Sequence, residues 1–243
     1  MALLEVQGIT KRFGGLVAVS DLDLKVDQGR IVALIGPNGA GKTTAFNVIA
    51  GFYKPDEGKV LFNGRDITNL RPDQICKLGL TRTFQVVRPF RGISVLDNVM
   101  IGAYARTRDE HAARAKAEEI LDFLGLRPMA DQMASGLPIA GRKRLEIARA
   151  LATDPQIILL DETMAGLRPT EADEMIQVVR KISERGIGIL LVEHVMKVVM
   201  SLSENIVVIH HGEKIAEGTP QEIVQNRLVI DAYLGEVRAN VAG

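Results

Sequence analysis

At 243 residues the chain is long enough for one large α/β domain, or for a domain carrying an inserted subdomain. Apolar residues at 47% and charged residues at 25% allow a sizeable core, while 30 basic against 30 acidic residues argue against a general nucleic-acid binder. The single cysteine, Cys76, excludes an internal disulfide and a cysteine metal cluster; no run approaches the ~18 apolar residues of a spanning helix, and Met1 to Glu5 lacks the pattern of a secretory signal. The expectation is a soluble cytoplasmic chain that, if it works at a membrane, is held there by something else.

In chain order, Leu3 to Val6 predicts a short strand and Leu22 to Val26 a strand with one wet face; Lys59 to Phe62 predicts a third, closed by an Asn63-Gly64 turn. These look like an antiparallel sheet wrapped around the apolar strand Ile31 to Ile35. Between the first two sits Lys11-Arg12-Phe13-Gly14-Gly15, where Phe13 is either an exposed platform for a nucleobase, worth ~1–3 kcal/mol, or a core residue at a strand end. Behind Ile35 comes Gly36-Pro37-Asn38-Gly39-Ala40-Gly41-Lys42-Thr43, then a helical pattern. Strand, glycine-rich turn and helix form the context in which this spacing cradles phosphates: backbone N–H groups and the helix start face anionic oxygens, Lys42 reaches the β/γ-phosphates, and the Thr43 hydroxyl holds Mg²⁺.

From Arg71 the pattern turns helical. Beyond Thr81 to Gln85 and Val86 to Gly92, the stretches Val95 to Ala105 and Arg108 to Leu124, with Gly125 as its cap, predict a mostly helical insertion from about Val87 to Thr153. The β/α rhythm resumes at Ile157 to Leu160, a fully apolar strand landing on Asp161-Glu162. A helix follows, opened by Pro169 and a box-like Thr170-x-x-Asp173, with Met175, Val178, Val179 and Ile182 as its core stripe. Ile187 to Val192 is another buried strand, landing on Glu193-His194; Val195, Val198, Val199 and Leu202 predict a helix face. Asn205 to Ile209 and Lys214 to Ala216 predict a closing hairpin, and Thr219 to Leu234 an amphipathic helix ahead of a frayed end.

Ligands of parallel sheets lie beyond the carboxyl ends of the strands, so Asp161, Glu162 and His194 are expected beside the phosphate loop. There Asp161 holds Mg²⁺ directly or through water, Glu162 polarises the attacking water, and His194 donates to the γ-phosphate. Gln85, at the entry to the helical insertion, is placed to reach Mg²⁺ or that water. His111, His210 and His211 are expected to be structural.

The succession of Phe13, the phosphate loop, Gln85, the run Arg144 to Leu151, the Leu159-Leu160-Asp161-Glu162 strand end and His194 resembles the ATPase subunits of ABC transporters over essentially the whole chain. Arg12 to Leu16, Arg82 to Gln85, Leu145 to Arg149, Glu193-His194-x-Met196 and Ala232 to Glu236 resemble, more narrowly, the ATP-binding subunits of bacterial branched-chain amino acid importers. The resemblance implies a RecA-like phosphate-loop core (residues 1–86 and 154–243) with an N-terminal antiparallel β-subdomain and an inserted α-helical subdomain (87–153). It implies ATP and Mg²⁺ as cofactors, Phe13 as the adenine platform, and Gly36, Asn38, Gly39, Ala40, Gly41, Lys42, Thr43 and Thr44 around the phosphates. It assigns catalysis to Glu162, His194 and Gln85, and the metal to Thr43, Gln85 and Asp161. It further implies a homo- or heterodimer of ATPase subunits at the cytoplasmic face of the membrane, integral permease subunits docking near Arg88, Pro89, Phe90 and Arg91, a periplasmic solute-binding protein served indirectly, and no nucleic acid.

The chain departs from the family where Leu-Ser-Gly-Gly-Gln is usual, reading Leu137-Pro138-Ile139-Ala140-Gly141. Pro138, Ala140 and Gly141 would still face a nucleotide held by the opposite subunit, but the missing serine hydroxyl removes ~1.5–3 kcal/mol of hydrogen bonding to phosphate. Thr163 replaces a usual proline, and Arg168 stands where Asp or Asn is usual. Competing expectations are a nucleotide switch with weak or no hydrolysis of its own, and a motor for another solute such as lipopolysaccharide.

Overall fold

The computed structural model describes residues 2–83, 89–90 and 92–233. Four largely apolar strands dictate the centre, β3 (Ile31–Ile35), β7 (Ile157–Asp161), β8 (Gly188–Val192) and β9 (Asn205–His210), with the short β6 (Leu80–Arg82) at one edge. With β10 (Glu213–Gly218) they form a six-stranded sheet in the order β10-β9-β3-β8-β7-β6, parallel except for the β9–β10 hairpin. The central strands lack polar alternation because both faces are covered. Alternate residues of β7 and β8 go to opposite layers: Ile158, Leu160, Ile189 and Leu191 join the helical layer, while Ile157, Leu159, Leu190 and Val192 join the β layer. Each such buried Ile or Leu contributes on the order of 1.5–3 kcal/mol.

The β layer is a four-stranded antiparallel sheet, β2-β1-β4-β5, made by β1 (Leu4–Phe13), β2 (Leu16–Val26), β4 (Glu57–Phe62) and β5 (Arg65–Asp66). It packs over α1 (Lys42–Ile49) in the cluster containing Leu4, Ile9, Leu24, Phe46 and Phe62. β1 is much longer than the predicted Leu3–Val6, and Phe13 is its last residue. Register shifts at Val6/Ile9 and beyond break the alternation that marks a strand in sequence.

The described elements between β6 and β7 are helical. After α2 (Pro72–Leu78), which precedes β6, come α3 (Val95–Ala103), α4 (Glu110–Phe123) and α5 (Ile139–Ala152). Ser94 caps α3 by accepting from Asp97 N–H at 3.0 Å, and Asp109 caps α4. These helices share one hydrophobic cluster with α6 (Pro169–Glu184) and the sheet face, through Leu121, Ile147, Met175 and Val179.

Three local expectations are corrected. Arg168, not Thr170, caps α6: its N–H donates to Glu171 Oε2 at 2.9 Å, because Pro169 takes the first helical position and moves the box back two residues. Val195 is the exposed cap of α7 (Met196–Leu202), so only Val198, Val199 and Leu202 form the buried face. The C-terminal helix is broken. α8 (Pro220–Gln225) stops at Asn226, whose Oδ1 accepts from Leu228 N–H at 3.0 Å and restarts a helix over 227–233.

Candidate functional site

The phosphate loop leaves β3 at Gly36 and enters α1 at Lys42. A Cβ at Gly36 would collide with the carbonyl oxygen of Ile209 on β9, and one at Gly41 (φ 104°) with that of Ala18 on β2. Glycine is therefore fixed at both ends of the loop by close backbone approach. The β9–β10 turn wedges alongside: Gly212 N–H donates to Ala40 O at 3.0 Å, and Ser20 N–H to Gly212 O at 2.8 Å. No side chain caps the start of α1, so its first-turn amides and positive end face outward. Lys42, 6% exposed, donates from Nζ to the carbonyls of Gly36 and Pro37, both at 2.7 Å, which holds the ammonium at the mouth of the loop.

A cavity of about 430 Å³ opens over this loop. Asn38, Gly39, Ala40, Gly41, Lys42, Thr43 and Thr44 form its floor, Phe13 closes one end, and Glu162 and His194 stand together at its side. Phe13 is exposed and meets the Tyr53 ring edge-on at a centroid distance of 5.3 Å, with Lys11 Nζ 5.6 Å from its own centroid. It lies at a strand end but is no core residue: it is exposed and lines the cavity, which overturns the core alternative.

The acids arrive from β7. Asp161 is 2% exposed; its Oδ2 accepts from Arg82 Nη2 at 2.8 Å, and its N–H donates to Thr83 Oγ1 at 3.2 Å. Burial pushes the Asp161 carboxyl above its ordinary pKa, and the Arg82 guanidinium pulls it part of the way back. Glu162 turns the chain with φ 48° and points its carboxylate at His194, with Oε1 2.6 Å from Nε2. β8 ends one residue before Glu193, which is also 2% exposed and accepts from Met164 N–H at 2.7 Å. Burial raises the Glu193 carboxyl, offset by the Met164 amide and the Lys143 ammonium; burial lowers Lys143 in turn, against the pull of Glu193 and Glu146.

Of the residues picked from the sequence, Phe13, the loop from Asn38 to Thr44, Glu162 and His194 meet at one cavity. Gly36 lies at the base of the loop. Asp161 is buried at the adjacent strand end and does not line the cavity wall. Gln85, Arg88 and Arg91 lie outside the described residues; Phe90 is exposed, with the Arg149 guanidinium 4.7 Å from its ring centroid. Pro138, Ala140 and Gly141 sit at the start of α5, away from this cavity, with Pro138 as the cap. His211, expected to be structural, lines the cavity instead, at the β9–β10 turn and in ring contact with His210 at 4.0 Å. Sequence reasoning passed over Arg82, Lys143 and Glu193. Neither Arg82, ending a three-residue strand, nor Lys143, inside Arg142-Lys143-Arg144, carries a signal in the sequence.

A phosphate cradle joined to an aromatic wall and an acid–imidazole pair is the geometry of a nucleotide-hydrolysing site. The sequence profile of the ABC transporter family matches residues 19–165, more than half of the chain. The chain belongs to the ABC transporter family. Within that family it is an ATP-binding cassette, a nucleotide-binding ATPase. A second profile, branched-chain amino acid ATP-binding cassette transporter, matches residues 213–239. The high-affinity branched-chain amino acid transport ATP-binding protein BraF of Pseudomonas aeruginosa is 42% identical over 250 residues, covering 96% of this chain and 98% of that protein. An ABC transporter cassette solved in its ADP conformation superposes with a TM-score of 0.88 at 34% identity, over 97% of this chain and 99% of that one. A dimeric cassette in a post-hydrolysis state bound to ADP and Pi gives 0.80 at 27% identity, over 89% and 98%. Among the described residues of this cassette no helix is long and apolar enough to cross a membrane.

Proposed function

We propose that the cassette is the Mg²⁺-ATP-driven motor of a branched-chain amino acid importer, peripheral to the cytoplasmic face of the membrane and docked on integral permease subunits that receive solute from a periplasmic binding protein. The observation that carries the hydrolytic part is the Glu162–His194 pair, 2.6 Å apart on the wall of the cavity that the phosphate loop floors. The transport part rests on the similarity to BraF and on the match over residues 213–239.

When bound, Mg²⁺-ATP supplies the phosphoanhydride that is cut and the charge neutralisation across it. The residues described fit that group: Lys42, the α1 amides and the Thr43 hydroxyl would face the phosphates, Phe13 would offer its face to the base, and Thr43 and Asp161 would hold the ion, with Gln85, outside the described residues, expected to join them. Glu162 accepts the proton of the attacking water, and His194 keeps its carboxylate and the water in line. Asp161 is fixed in orientation by Arg82, and the buried Thr83 hydroxyl holds its peptide.

Residues 87–153 would form the helical subdomain that transmits motion, and residues 1–86 and 154–243 the core. Two cassettes would close head to tail, each presenting the start of α5 to the nucleotide of the other. With Pro138 as the cap of α5, this chain offers its partner helix amides but no serine hydroxyl, so the site it completes is weakened. Glu162→Gln tests the chemistry: turnover should fall about 10²–10⁴-fold with nucleotide still bound. Turnover within about threefold of the parent would remove Glu162 from the reaction.

A further inference from the structure

Five non-glycine residues among those described have positive φ: Asp21, Asn63, Asp154, Glu162 and His211. Four are Asp, Asn or His, the types that adopt this conformation most readily, and only Glu162 has no such local excuse. Its surroundings impose it. The Glu162 N–H donates to Val192 O at 2.9 Å, and its carbonyl accepts from Lys143 Nζ at 2.8 Å. Lys143 is only 8% exposed, although its neighbour Arg142 is an exposed residue. The ammonium lies among the carboxylates of Glu193, Glu146 and Glu162, and Glu193 is itself buried one residue before His194. Glu193 in turn holds the chain just past Glu162, accepting from Met164 N–H at 2.7 Å and from Thr163 Oγ1 at 3.4 Å.

We propose that Lys143 is a positioning residue for ATP hydrolysis: it pins the left-handed peptide of Glu162 from behind, so that the carboxylate meets His194 over the cavity, and with Glu193 it ties the ends of β7 and β8 to α5. This rests on the reading of Glu162 as the residue that activates water. A backbone strain that persists because its environment over-determines it is characteristic of functional sites. Here the determinant is one buried side chain from a helix outside the nucleotide cavity. Lys143 touches no nucleotide group and acts only through Glu162.

The test uses the full chain with Lys143→Met, which keeps the apolar stem and removes the ammonium. The kcat for ATP should fall about 10- to 100-fold, as expected when a reacting group is displaced, with KM and nucleotide affinity within about twofold. Amide hydrogen exchange over residues 161–165 and 193–195 should rise about tenfold while the rest of the sheet is unchanged. Lys143→Arg, which keeps a donor, should recover most of kcat, and Lys143→Met should cost nothing further in a Glu162→Gln background. Unchanged exchange over those segments, affinity falling in step with kcat, or a full additional loss in the Glu162→Gln background would each overturn the proposal. If Lys143→Met does not fold, Glu193→Gln carries the exchange readout, and no local change over those segments in that variant refutes it. A parent protein that binds ATP without turning it over would refute the hydrolytic reading instead, and the exchange measurement would still decide the role of Lys143.

Discussion

Replacing Arg82 with Met isolates the electrostatics of the sheet edge. The Arg82 side chain is 9% exposed and pairs at 2.8 Å with Asp161, 2% exposed, while Nη1 donates to Asn47 Oδ1 at 2.6 Å. Its guanidinium also lies 5.8 Å from the Phe46 ring centroid and 5.7 Å from that of Phe52. Met keeps the apolar stem against those rings but leaves a buried carboxylate without its cation, a loss of about 3–5 kcal/mol. The sign with pH follows from Asp161. Its folded pKa already lies above the ordinary value because of burial, and Arg82 is what holds it down. Without Arg82 it rises further, so the extra penalty is full above the variant's folded pKa and shrinks as pH falls through it toward the parent's folded pKa, below which the acid is protonated in both folded proteins. Urea unfolding of the nucleotide-free protein should therefore show a large gap between parent and Arg82→Met at pH 7.5 and a smaller one at pH 5.5. Arg82→Met/Asp161→Asn should be more stable than Arg82→Met alone at pH 7.5, because a neutral amide replaces the stranded charge. A loss below about 1 kcal/mol at pH 7.5, or an equal loss at both pH values, would refute a buried charge pair as the link between β6 and β7.

Two substitutions bear on the nucleotide cavity. Phe13→Ala removes the aromatic face and should weaken nucleotide binding about 5- to 150-fold in a fluorescent-ATP titration, the equivalent of ~1–3 kcal/mol of stacking; unchanged affinity would mean the base lies elsewhere. Gly41→Ala puts a methyl against the Ala18 carbonyl at φ 104° and should abolish nucleotide-induced thermal stabilisation while lowering the basal Tm, since the strain is about 1–3 kcal/mol; a normal shift with ATP would show that the loop tolerates another backbone path.

How much of this was legible in the sequence depended on the range of the interaction. β7 and β8 declare themselves because strands covered on both faces are apolar throughout, and the first charged residues after such a run, Asp161-Glu162 and Glu193-His194, must sit at the sheet edge. The phosphate loop is legible for the same local reason: glycine spacing, strand before and helix after. β1 was cut short in the reading because its bulges interrupt the period-two pattern across Gln7 and Gly8. Arg82 and Lys143 resisted because a charged residue reads as solvated unless its partner is known, and the partners lie 79 and 19 residues away. His211 was missed because nothing in a turn sequence tells which neighbouring loop it faces.

The two basic residues that steady the acids sit in different layers. Arg82 ends β6, the last strand before the helical stretch, and Lys143 lies on α5, the last helix of that stretch; β7 then carries Asp161 and Glu162. Arg82 thus lies in the sheet before that stretch and Lys143 inside its last helix. The helical layer and the sheet also share one hydrophobic cluster, through Leu145, Ile147, Ile158 and Leu160, so they move against each other only by shifting packed side chains. Lys143 is the polar link from that layer to Glu162, whereas Arg82 ties Asp161 within the sheet, strand β6 to strand β7. Apolar packing holds the layers together over a broad area and tolerates small slides. The two polar links do not, because an ammonium or guanidinium moved by an ångström leaves a buried acceptor unsatisfied. The geometry of Glu162 is therefore tied most stiffly to α5 through Lys143, and that of Asp161 to β6 through Arg82.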